Sequence, residues 1–438
     1  MKEVAFDVPG LKAIRETCDR VNLDAGSRLI VLTAPLPECV MASVLLSTAM
    51  QRTRGTFHIM YGEPICPAKR IEQILEEHAK SRLALVGVIP DEELEVTDQV
   101  FALGSGNSYS NSVGVGEEGE EPLAAYVLAS EKLSVGRKEL KLALAGSIAA
   151  NPEVGPVREI LEYCKERQIV NTRKGFLLFG SNFLSLIETL EYSTFPYLSR
   201  LSGNRSACER LLEESDIPLT KRGAPVLNLT KTEQQNLNSN LIPMLDSETI
   251  SKVLGQDFEF VDEKSNSPMR FLSNMMVLAQ IAWIKSKHGL AAATYFGDRA
   301  QQLRTLIDDS LELSKQSLDA VPKMMAAINE LPDIDEKQML EFQVNVGTDV
   351  LPILGKIGLQ SGLFDSDFLI LGNQRETQLA WDKGKHNLRT VMRELCNAGL
   401  QSISTSYASL RIDGVMEDSG DTIRKALSSV MSGGAEEN

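Results

Sequence analysis

The sequence predicts an α/β protein with a doubly wound parallel sheet, a helical middle segment and a second, smaller α/β domain. Strand-like and helix-like patterns alternate over the first 150 or so residues, which is typical of a parallel sheet. Helical patterns then dominate, and short strands return in about the last hundred residues. We therefore expect domains at 1–184, 185–332 and 333–432, followed by a disordered tail at 433–438.

Short apolar runs and amphipathic runs define the elements of the first domain. The apolar runs predict strands at Arg28–Thr33, Thr56–Met60, Arg82–Val88 and Gln99–Leu103. The amphipathic or small-residue runs predict helices at Glu38–Gln51, 67–80, 121–133, 137–150 and 155–168. Between them, the polar run GSGNSYSNSVGVGEEGEE (104–121) offers few residues to a core, so we expect a mobile loop.

The middle and C-terminal elements follow from the same patterns. Thr230 and Glu233 have the spacing of a capping box that opens a helix. The predicted strands are an isolated one at Phe258–Val261 and three later ones at Leu340–Val346, Phe368–Leu371 and Thr377–Ala380. The predicted helices lie at 268–287, 300–317, 386–397 and 420–431.

Composition excludes several classes of protein. The chain has 60 acidic and 45 basic residues and a net charge of −15, which disfavours a general nucleic-acid binder. Its six cysteines form no C-x-x-C pair, which argues against a zinc module or a disulfide framework and favours reduced, buried thiols. There is no run of 18 apolar residues and no signal-peptide pattern, so we expect a soluble, cytoplasmic protein without membrane association.

Motifs that carry chemistry are absent. The sequence has no G-x-x-x-x-G-K-[ST] and no G-x-S-x-G, and its four histidines stand apart from one another. Within two residues of the predicted strand ends of the first domain, only Glu38 and Asp91 are ionisable. A metal-dependent hydrolase needs several acidic or imidazole ligands there, so we expect no metal and no cofactor.

The strand-to-helix corner VLTAPLPECVMAS (31–43) nevertheless resembles a known motif. In the DHH phosphoesterase superfamily a strand ends in Thr-His-x-Asp-x-Asp-Gly and runs into a small-residue helix. Here Ala34 stands for the His, Leu36 for the first Asp, Glu38 for the second Asp and Cys39 for the Gly. The resemblance covers nearly the whole chain and is strongest to archaeal RecJ-type exonucleases and to cell division cycle protein 45.

The resemblance also places the family's other ligand positions. The Asp that ends the family's next strand corresponds to Gly87, and the Asp-His-His motif corresponds to Gly104, Ser105 and Gly106. The Asp of a later Gly-Asp pair corresponds to Ala150. All these positions are interpreted as vestigial, since each lacks the family's metal ligand.

The C-terminal part resembles the DHHA1 nucleic-acid-binding domain. That domain carries a Gly-Gly-Gly-His-x-x-Ala-Ala-Gly run that contacts substrate. The matching segment here is SISTSYASLRI (402–412), which keeps Ala408 but lacks the glycines and the histidine. The resemblance therefore implies weak or absent binding of single-stranded DNA.

The resemblance implies a pseudo-nuclease that works by binding partners. Those partners would be the GINS complex and the MCM helicase in a CMG-like archaeal replication assembly, with the middle helical segment as the expected contact surface. One alternative is a pseudo-nuclease subunit of an RNA-processing or repair complex. Another is a manganese-dependent single-strand exonuclease with shifted ligands, in which Glu38 would be essential.

Overall fold

The computed structural model describes residues 11–94, 98–104, 111–114, 119–150, 155–330, 339–360 and 366–433. The chain folds as two compact units. The first contains the residues up to Asn171 together with Ser286–Arg304, and the second contains Thr172–Lys285 and the residues from Thr305 onward. The chain therefore passes between the units three times.

The elements alternate in the first part of the chain. The strands there are β1 (Arg28–Thr33), β2 (Thr56–Tyr61), β3 (Ile65–Cys66), β4 (Arg82–Val86), β5 (Ile89–Pro90), β6 (Val100–Leu103), β7 (Ser112–Val113) and β8 (Val170–Phe176). The helices are α1 (Lys12–Cys18), α2 (Pro37–Arg52), α3 (Ala68–Glu77), α4 (Glu121–Lys132), α5 (Arg137–Ala150) and α6 (Gly155–Glu166).

The middle of the chain is mainly helical. Its helices are α7 (Leu186–Glu191), α8 (Arg205–Glu214), α9 (Leu219–Arg222), α10 (Lys231–Leu241), α11 (Ser247–Val253), α12 (Leu272–Ile284), α13 (His288–Phe296) and α14 (Gln301–Asn329). Strand β9 (Leu254–Phe260) lies among them and pairs with β8.

The last part returns to strands and helices. Its strands are β10 (Met339–Gln343), β11 (Phe368–Gly372), β12 (Glu376–Trp381), β13 (Ser402–Ser406) and β14 (Ser409–Asp413). Its helices are α15 (Leu351–Gln360), α16 (Leu388–Asn397) and α17 (Met416–Gly433).

A five-stranded parallel sheet in the order β2-β1-β4-β6-β7 forms the centre of the first unit. From β1 the chain adds β2 on one side, then returns to add β4, β6 and β7 on the other. The strand order therefore reverses between β1 and β4, and ligands of open α/β sheets bind outside the carboxyl ends of strands at such a point. The predicted doubly wound parallel sheet is confirmed.

Helix α2 is the most deeply buried element of the first unit. Its residues from Pro37 to Met50 are all buried, because small and apolar side chains surround it on every face. It packs against α4, α5 and α13 as well as against the sheet. The apolar helix predicted at Glu38–Gln51 is thus the core of this unit, and it fixes the corner that precedes it.

The second unit has its own sheet and two apolar clusters. The sheet order is β10-β11-β12-β14-β13, with β10 and β11 parallel and the other neighbours antiparallel. One cluster joins α12, α14 and α15 to this sheet through buried residues such as Ile281, Met324 and Leu354. The other lies among α7–α11 and includes Leu190 and Leu212. The predicted second α/β domain is confirmed as a fold.

Several predicted boundaries are wrong for identifiable reasons. The strand at 258–261 is not isolated, because β9 is longer and pairs with the unpredicted strand β8, whose polar sequence hides its pattern. The helix predicted at 268–287 is a 3₁₀ turn at Pro268–Arg270 followed by α12, which ends at Ile284. The helix predicted at 300–317 continues to Asn329 through Pro322, a residue that usually breaks helices.

Other expectations have mixed outcomes. The capping box is confirmed, since the Thr230 side chain accepts from the Glu233 N–H and the Glu233 carboxylate accepts from the Thr230 N–H. The run at 104–121 lies largely outside the described residues, although β7 forms within it. Five cysteines are buried as expected, but Cys396 is exposed. The expected tail lies outside the described residues after Gly433, and the domain bounds remain predictions.

No helix among the described residues is both long enough and apolar enough to span a membrane.

Candidate functional site

The carboxyl edge of the first sheet brings most of the predicted positions together. Thr33 at the end of β1 lies opposite Val86 of β4, and Val86 lies opposite Leu103 of β6. Ala34, Gly87 and Gly104 immediately follow these strands, so they line one edge of the sheet. The first two flank the point where the strand order reverses. We call the edge formed by the residues after β1, β4 and β6 the strand-tip edge.

The corner after β1 is closely packed. The Ala34 N–H donates to the Val86 carbonyl at 2.9 Å, which holds the corner beside β4. Pro37 occupies the first turn of α2, where its missing N–H costs nothing, and Leu36 is the N-cap residue without a side-chain capping bond. Glu38 is buried in that same turn, where a negative charge is favoured by the helix dipole.

Cys39 fills the side-chain space beside Gly87. Gly87 is buried and has a φ of +67°. A Cβ atom added there would lie 2.3 Å from Cys39 Sγ and 3.4 Å from Ala34 Cβ. A contact of 2.3 Å is impossible for real atoms, so neither an alanine nor an aspartate fits without displacement of Cys39. In the resembled family the bulky and small residues are reversed at these two positions.

Glu121 covers Gly104 in a similar way. Gly104 has a φ of +87°, and a Cβ added there would lie 2.5 Å from Glu121 Cγ and 2.7 Å from its Oε1. Glu121 is the first residue of α4 and is buried, with 3% of its surface exposed. The positions of the other two vestigial residues of this motif, Ser105 and Gly106, lie outside the described residues.

Ala150 lies next to the segment that leads into α4. A Cβ added at Gly119, whose φ is +80°, would lie 2.3 Å from Ala150 Cβ. Gly119 is two residues before Glu121, which covers Gly104. The end of α5 is therefore packed closely against the loop that leads to the strand-tip edge.

Helix α13 supplies aromatic residues on the β2 side of this edge. The His288 ring lies 5.0 Å from the Tyr61 ring, measured between centroids, and Tyr61 is paired with Thr33. Burial lowers the pKa of His288 to about 4, so the imidazole is neutral at physiological pH. Burial raises the pKa of the Tyr295 phenol, and the nearby Glu38 carboxylate raises it further. These side chains pack α13 onto the corner.

The residues at the strand-tip edge do not fit a manganese site. Mn²⁺ prefers carboxylate and imidazole ligands. Of the described vestigial positions, Ala34, Leu36, Gly87, Gly104 and Ala150 offer none, which leaves Glu38 as a single carboxylate. Over the described ranges, no group of three or more His, Cys, Asp or Glu side chains could hold a metal ion.

The segment 402–412 forms a hairpin in the second unit. Strands β13 and β14 pair antiparallel and are joined by Tyr407 and Ala408. The Ala408 carbonyl accepts from the Trp381 N–H at 3.0 Å, which ties the hairpin turn to the end of β12. The sequence did not indicate this hairpin, because its serine-rich pattern has no clear apolar alternation.

Sequence reasoning also missed the residues that fill the strand-tip edge. Cys39 was identified as a replacement for Gly, and Gly87 as a replacement for Asp, but nothing in the sequence placed them in contact. The available signal was the reciprocal exchange at these two positions, where the resembled family has a glycine in place of Cys39 and an aspartate in place of Gly87. Glu121 lies far from Gly104 in sequence and gave no signal.

Comparisons with known proteins agree on the fold. No protein-family model and no curated protein matches the sequence. The structure is similar to CDC45 from Entamoeba histolytica, with a TM-score of 0.60 and 9% sequence identity. That match covers 96% of this chain and 97% of the CDC45 chain. The chain has a CDC45-like fold.

The same fold links the chain to a nuclease. RecJ from Thermus thermophilus, in a crystal structure with Mn²⁺, matches with a TM-score of 0.50 and 13% identity. All of this chain is covered but only 56% of the RecJ chain, so this chain spans little more than half of that protein. At such identities the likeness establishes the fold, and the predicted resemblance to RecJ-like proteins and CDC45 is confirmed at that level.

Proposed function

We propose that the chain is a catalytically inactive, RecJ-like scaffold subunit of the archaeal DNA replication machinery. In this role it binds GINS, supports the MCM helicase in a CMG-like complex, and binds single-stranded DNA weakly or not at all. The observation that carries the proposal is the close approach of Cys39 to Gly87. Cys39 occupies the space beside Gly87, the position that the resemblance assigns to a metal ligand.

The donor set supports inactivity. A phosphodiesterase of this fold would use Mn²⁺ to generate the nucleophile and to stabilise charge on the phosphate. Glu38 is the one carboxylate at the vestigial positions and Glu121 adds a second beside Gly104, but no group of three or more such ligands forms among the described residues, and such a metal needs several. The positive φ at Gly87 and Gly104 adds a second obstacle, because residues with a Cβ are strained in that region.

The extent of the CDC45 likeness supports a scaffold role. The match runs over 96% of this chain and 97% of that one, so both units and the middle helical segment have counterparts. Loss of chemistry does not endanger such a fold, because the ligand positions lie at strand tips outside the core. A negative net charge of −15 also suits protein partners better than a threaded polyanion.

A nuclease assay tests the first half of the proposal. The full chain is incubated with end-labelled single-stranded DNA and RNA in the presence of Mn²⁺, beside T. thermophilus RecJ as the positive control. We expect no cleavage above the buffer rate. Turnover that disappears in Glu38→Ala would instead establish an exonuclease with shifted ligands.

Co-purification from the native host tests the second half. A tagged chain should enrich GINS subunits first and MCM less strongly, as identified by mass spectrometry against an untagged control. Enrichment of RNA-processing or repair subunits without GINS would assign the protein to a different assembly and contradict the replication role.

A further inference from the structure

The second unit contains a cavity of about 190 Å³ between α12, α15, the end of β12 and the β13–β14 hairpin. Its polar lining includes Gln280, Lys356, Lys383 and Ser406, and its aromatic lining includes Trp381 and Tyr407. Apolar groups of α15 and β12 complete the wall. The cavity is separate from the strand-tip edge, since every lining residue belongs to the second unit.

Lys356 brings a positive charge to this cavity without a negative partner. Its Nζ donates to Gln280 Oε1 at 3.0 Å and lies 3.9 Å from the centroid of the Phe195 ring. An ammonium group has three N–H donors, and both of these partners are neutral. Burial, together with the positive charges of Lys252 and Lys383, lowers the pKa of Lys356 to about 7.

Lys383 adds a second cation at the mouth of the cavity. It is exposed, and its Nζ lies 4.5 Å from the Tyr407 ring centroid. The Tyr407 ring is itself held edge-on against Trp283, with 5.3 Å between centroids. Among the described residues, no carboxylate lies within salt-bridge distance of Lys356 or Lys383. The cavity therefore combines two lysine side chains with no fixed anion. A bound carboxylate would favour the charged form of Lys356, whose pKa is about 7, so an anionic occupant is favoured.

The size of the cavity selects the kind of anion. Sites for small molecules and nucleotides span about 300–1,000 Å³. A cavity of about 190 Å³ is smaller and suits one amino-acid side chain. Pro352, Leu359 and Ala380 on its wall can pack against methylene groups, while the lysines and the Ser406 hydroxyl meet the charged end.

We infer that this cavity binds the carboxylate of a glutamate or aspartate side chain on an acidic segment of a partner protein. The existence of such a partner rests on the proposed scaffold function. Lys356 is the half-buried anchor, and Lys383 is the exposed contact that first meets the acidic segment. The net charge of −15 disfavours a long polyanion, whereas a short acidic segment needs only this local positive charge.

Calorimetric titration of the full chain with the blocked peptide acetyl-Leu-Glu-Glu-Leu-amide tests the inference. The same peptide with glutamine in place of both glutamates is the matched probe. We expect the glutamine peptide to bind at least about tenfold more weakly, and Lys356→Met to weaken binding of the acidic peptide by a similar factor. Lys383→Gln, at an exposed position, should weaken it less.

The control is Lys252→Met. Lys252 pairs with Glu248 at 2.5 Å and does not line the cavity. All titrations are run at pH 6, where Lys356 is mostly charged with or without Lys252, so peptide affinity should be unchanged. The inference is overturned by no binding of the acidic peptide, by equal binding of both peptides, or by unchanged affinity in both Lys356→Met and Lys383→Gln. Because Lys383 is exposed, its variant remains informative if Lys356→Met does not fold.

Two further probes separate other occupants. Oligothymidylate and inorganic phosphate are titrated as competitors of the acidic peptide. If either binds with a lower dissociation constant than the peptide, the cavity is a phosphate site and the inference is contradicted. Nuclease activity would refute the proposed function without affecting this titration. Failure of the peptide to bind would refute the cavity assignment and leave the scaffold proposal to the co-purification experiment.

Discussion

The strand-tip edge of the first unit and the lysine cavity of the second unit differ in how their space is used. At the edge, Cys39 and Glu121 fill the places where side chains would project from Gly87 and Gly104. In the second unit a cavity of about 190 Å³ remains open beside two lysines. The edge is closely packed, whereas the cavity keeps charge without a fixed partner.

This difference indicates which region is available for binding. Close packing at the edge stabilises α2 and the corner but leaves little room for a metal or a phosphate. A lysine that is partly buried beside neutral partners destabilises the folded protein, and a bound anion would offset that destabilisation. The most informative perturbations therefore reopen the packed edge or remove the charge from the cavity.

The largest expected effect comes from Gly87→Asp, which restores the residue type of the resembled family at the packed edge. The substitution combines a strained φ of +67°, a distance of only 2.3 Å between the added Cβ and Cys39 Sγ, and a buried carboxylate. We expect a loss of about 3–5 kcal/mol in the free energy of unfolding, measured by urea denaturation.

Two controls separate these causes. Gly26 has a φ of +82° and open space around the added Cβ, so Gly26→Asp should cost only the strain, about 1 kcal/mol. Cys39→Ala removes the overlapping sulfur, so the double variant with Gly87→Asp should be at least about 1 kcal/mol more stable than additivity predicts. Strict additivity would mean that Cys39 does not fill this space.

A smaller effect of opposite sign is expected in the cavity. Lys356→Met keeps the length of the side chain and removes its charge, so it should stabilise the protein at pH 6 by about 1–3 kcal/mol. This range allows for the part of the side chain that remains exposed to solvent. Urea denaturation at pH 6 and pH 9 compares Lys356→Met with the wild type, and Lys252→Met serves as the control.

The advantage of Lys356→Met should shrink as the pH rises. The pKa of Lys356 is about 7 in the folded protein and has its ordinary value of 10.5 in the unfolded chain. Between these values the unfolded chain binds more protons, so wild-type stability increases with pH. A pH-independent difference between the two proteins would show that Lys356 is not desolvated.

The smallest effect concerns His288 beside Tyr61. Its pKa is about 4 in the folded protein against 6.5 when unperturbed. The stability it contributes is therefore present above pH 6.5 and is lost as the pH falls toward 4. His288→Gln should reduce the loss of stability between about pH 7 and pH 4.5 by about 1–2 kcal/mol in thermal or urea unfolding.

The comparison variant for this prediction is His58→Gln. His58 is exposed on β2 in the same unit, so its replacement removes an imidazole without disturbing the packing of α13. If both variants behave like wild type, His288 is solvated and α13 does not bury it against the sheet.

Most of the first sheet could be predicted from the sequence because its inner strands β1, β4 and β6 are buried on both faces. RLIVLT and VFAL are continuous apolar runs, and each precedes a turn or helix signal. Strand β8 (VNTRKGF) lacks this signal because most of its polar side chains are exposed to solvent. The β13–β14 hairpin lacks it because buried polar side chains such as Ser404 and Thr405 pair with Trp283 and Gln378, which lie far away in sequence. Helix α14 was cut short in the prediction, since Pro322 looks like a helix end in isolation.

The candidate sites also have features that the sequence predicts and features that it does not. The absence of ligands at Ala34, Leu36 and Gly87 could be predicted, because it depends on residue identity at strand ends. The filling of the edge and the lysine cavity could not, because they depend on contacts between residues far apart in sequence. Lys356 and Gln280, for example, are 76 positions apart and belong to different helices.

Manganese binding by the native chain is the most direct test of the central claim. Free Mn²⁺ gives a strong electron paramagnetic resonance signal that is lost when the ion binds to protein, and T. thermophilus RecJ serves as the positive control. We predict that the signal stays at its buffer intensity when the chain is added in excess. Loss of one or more equivalents of signal per chain, reversed by Glu38→Ala, would contradict the pseudo-nuclease assignment.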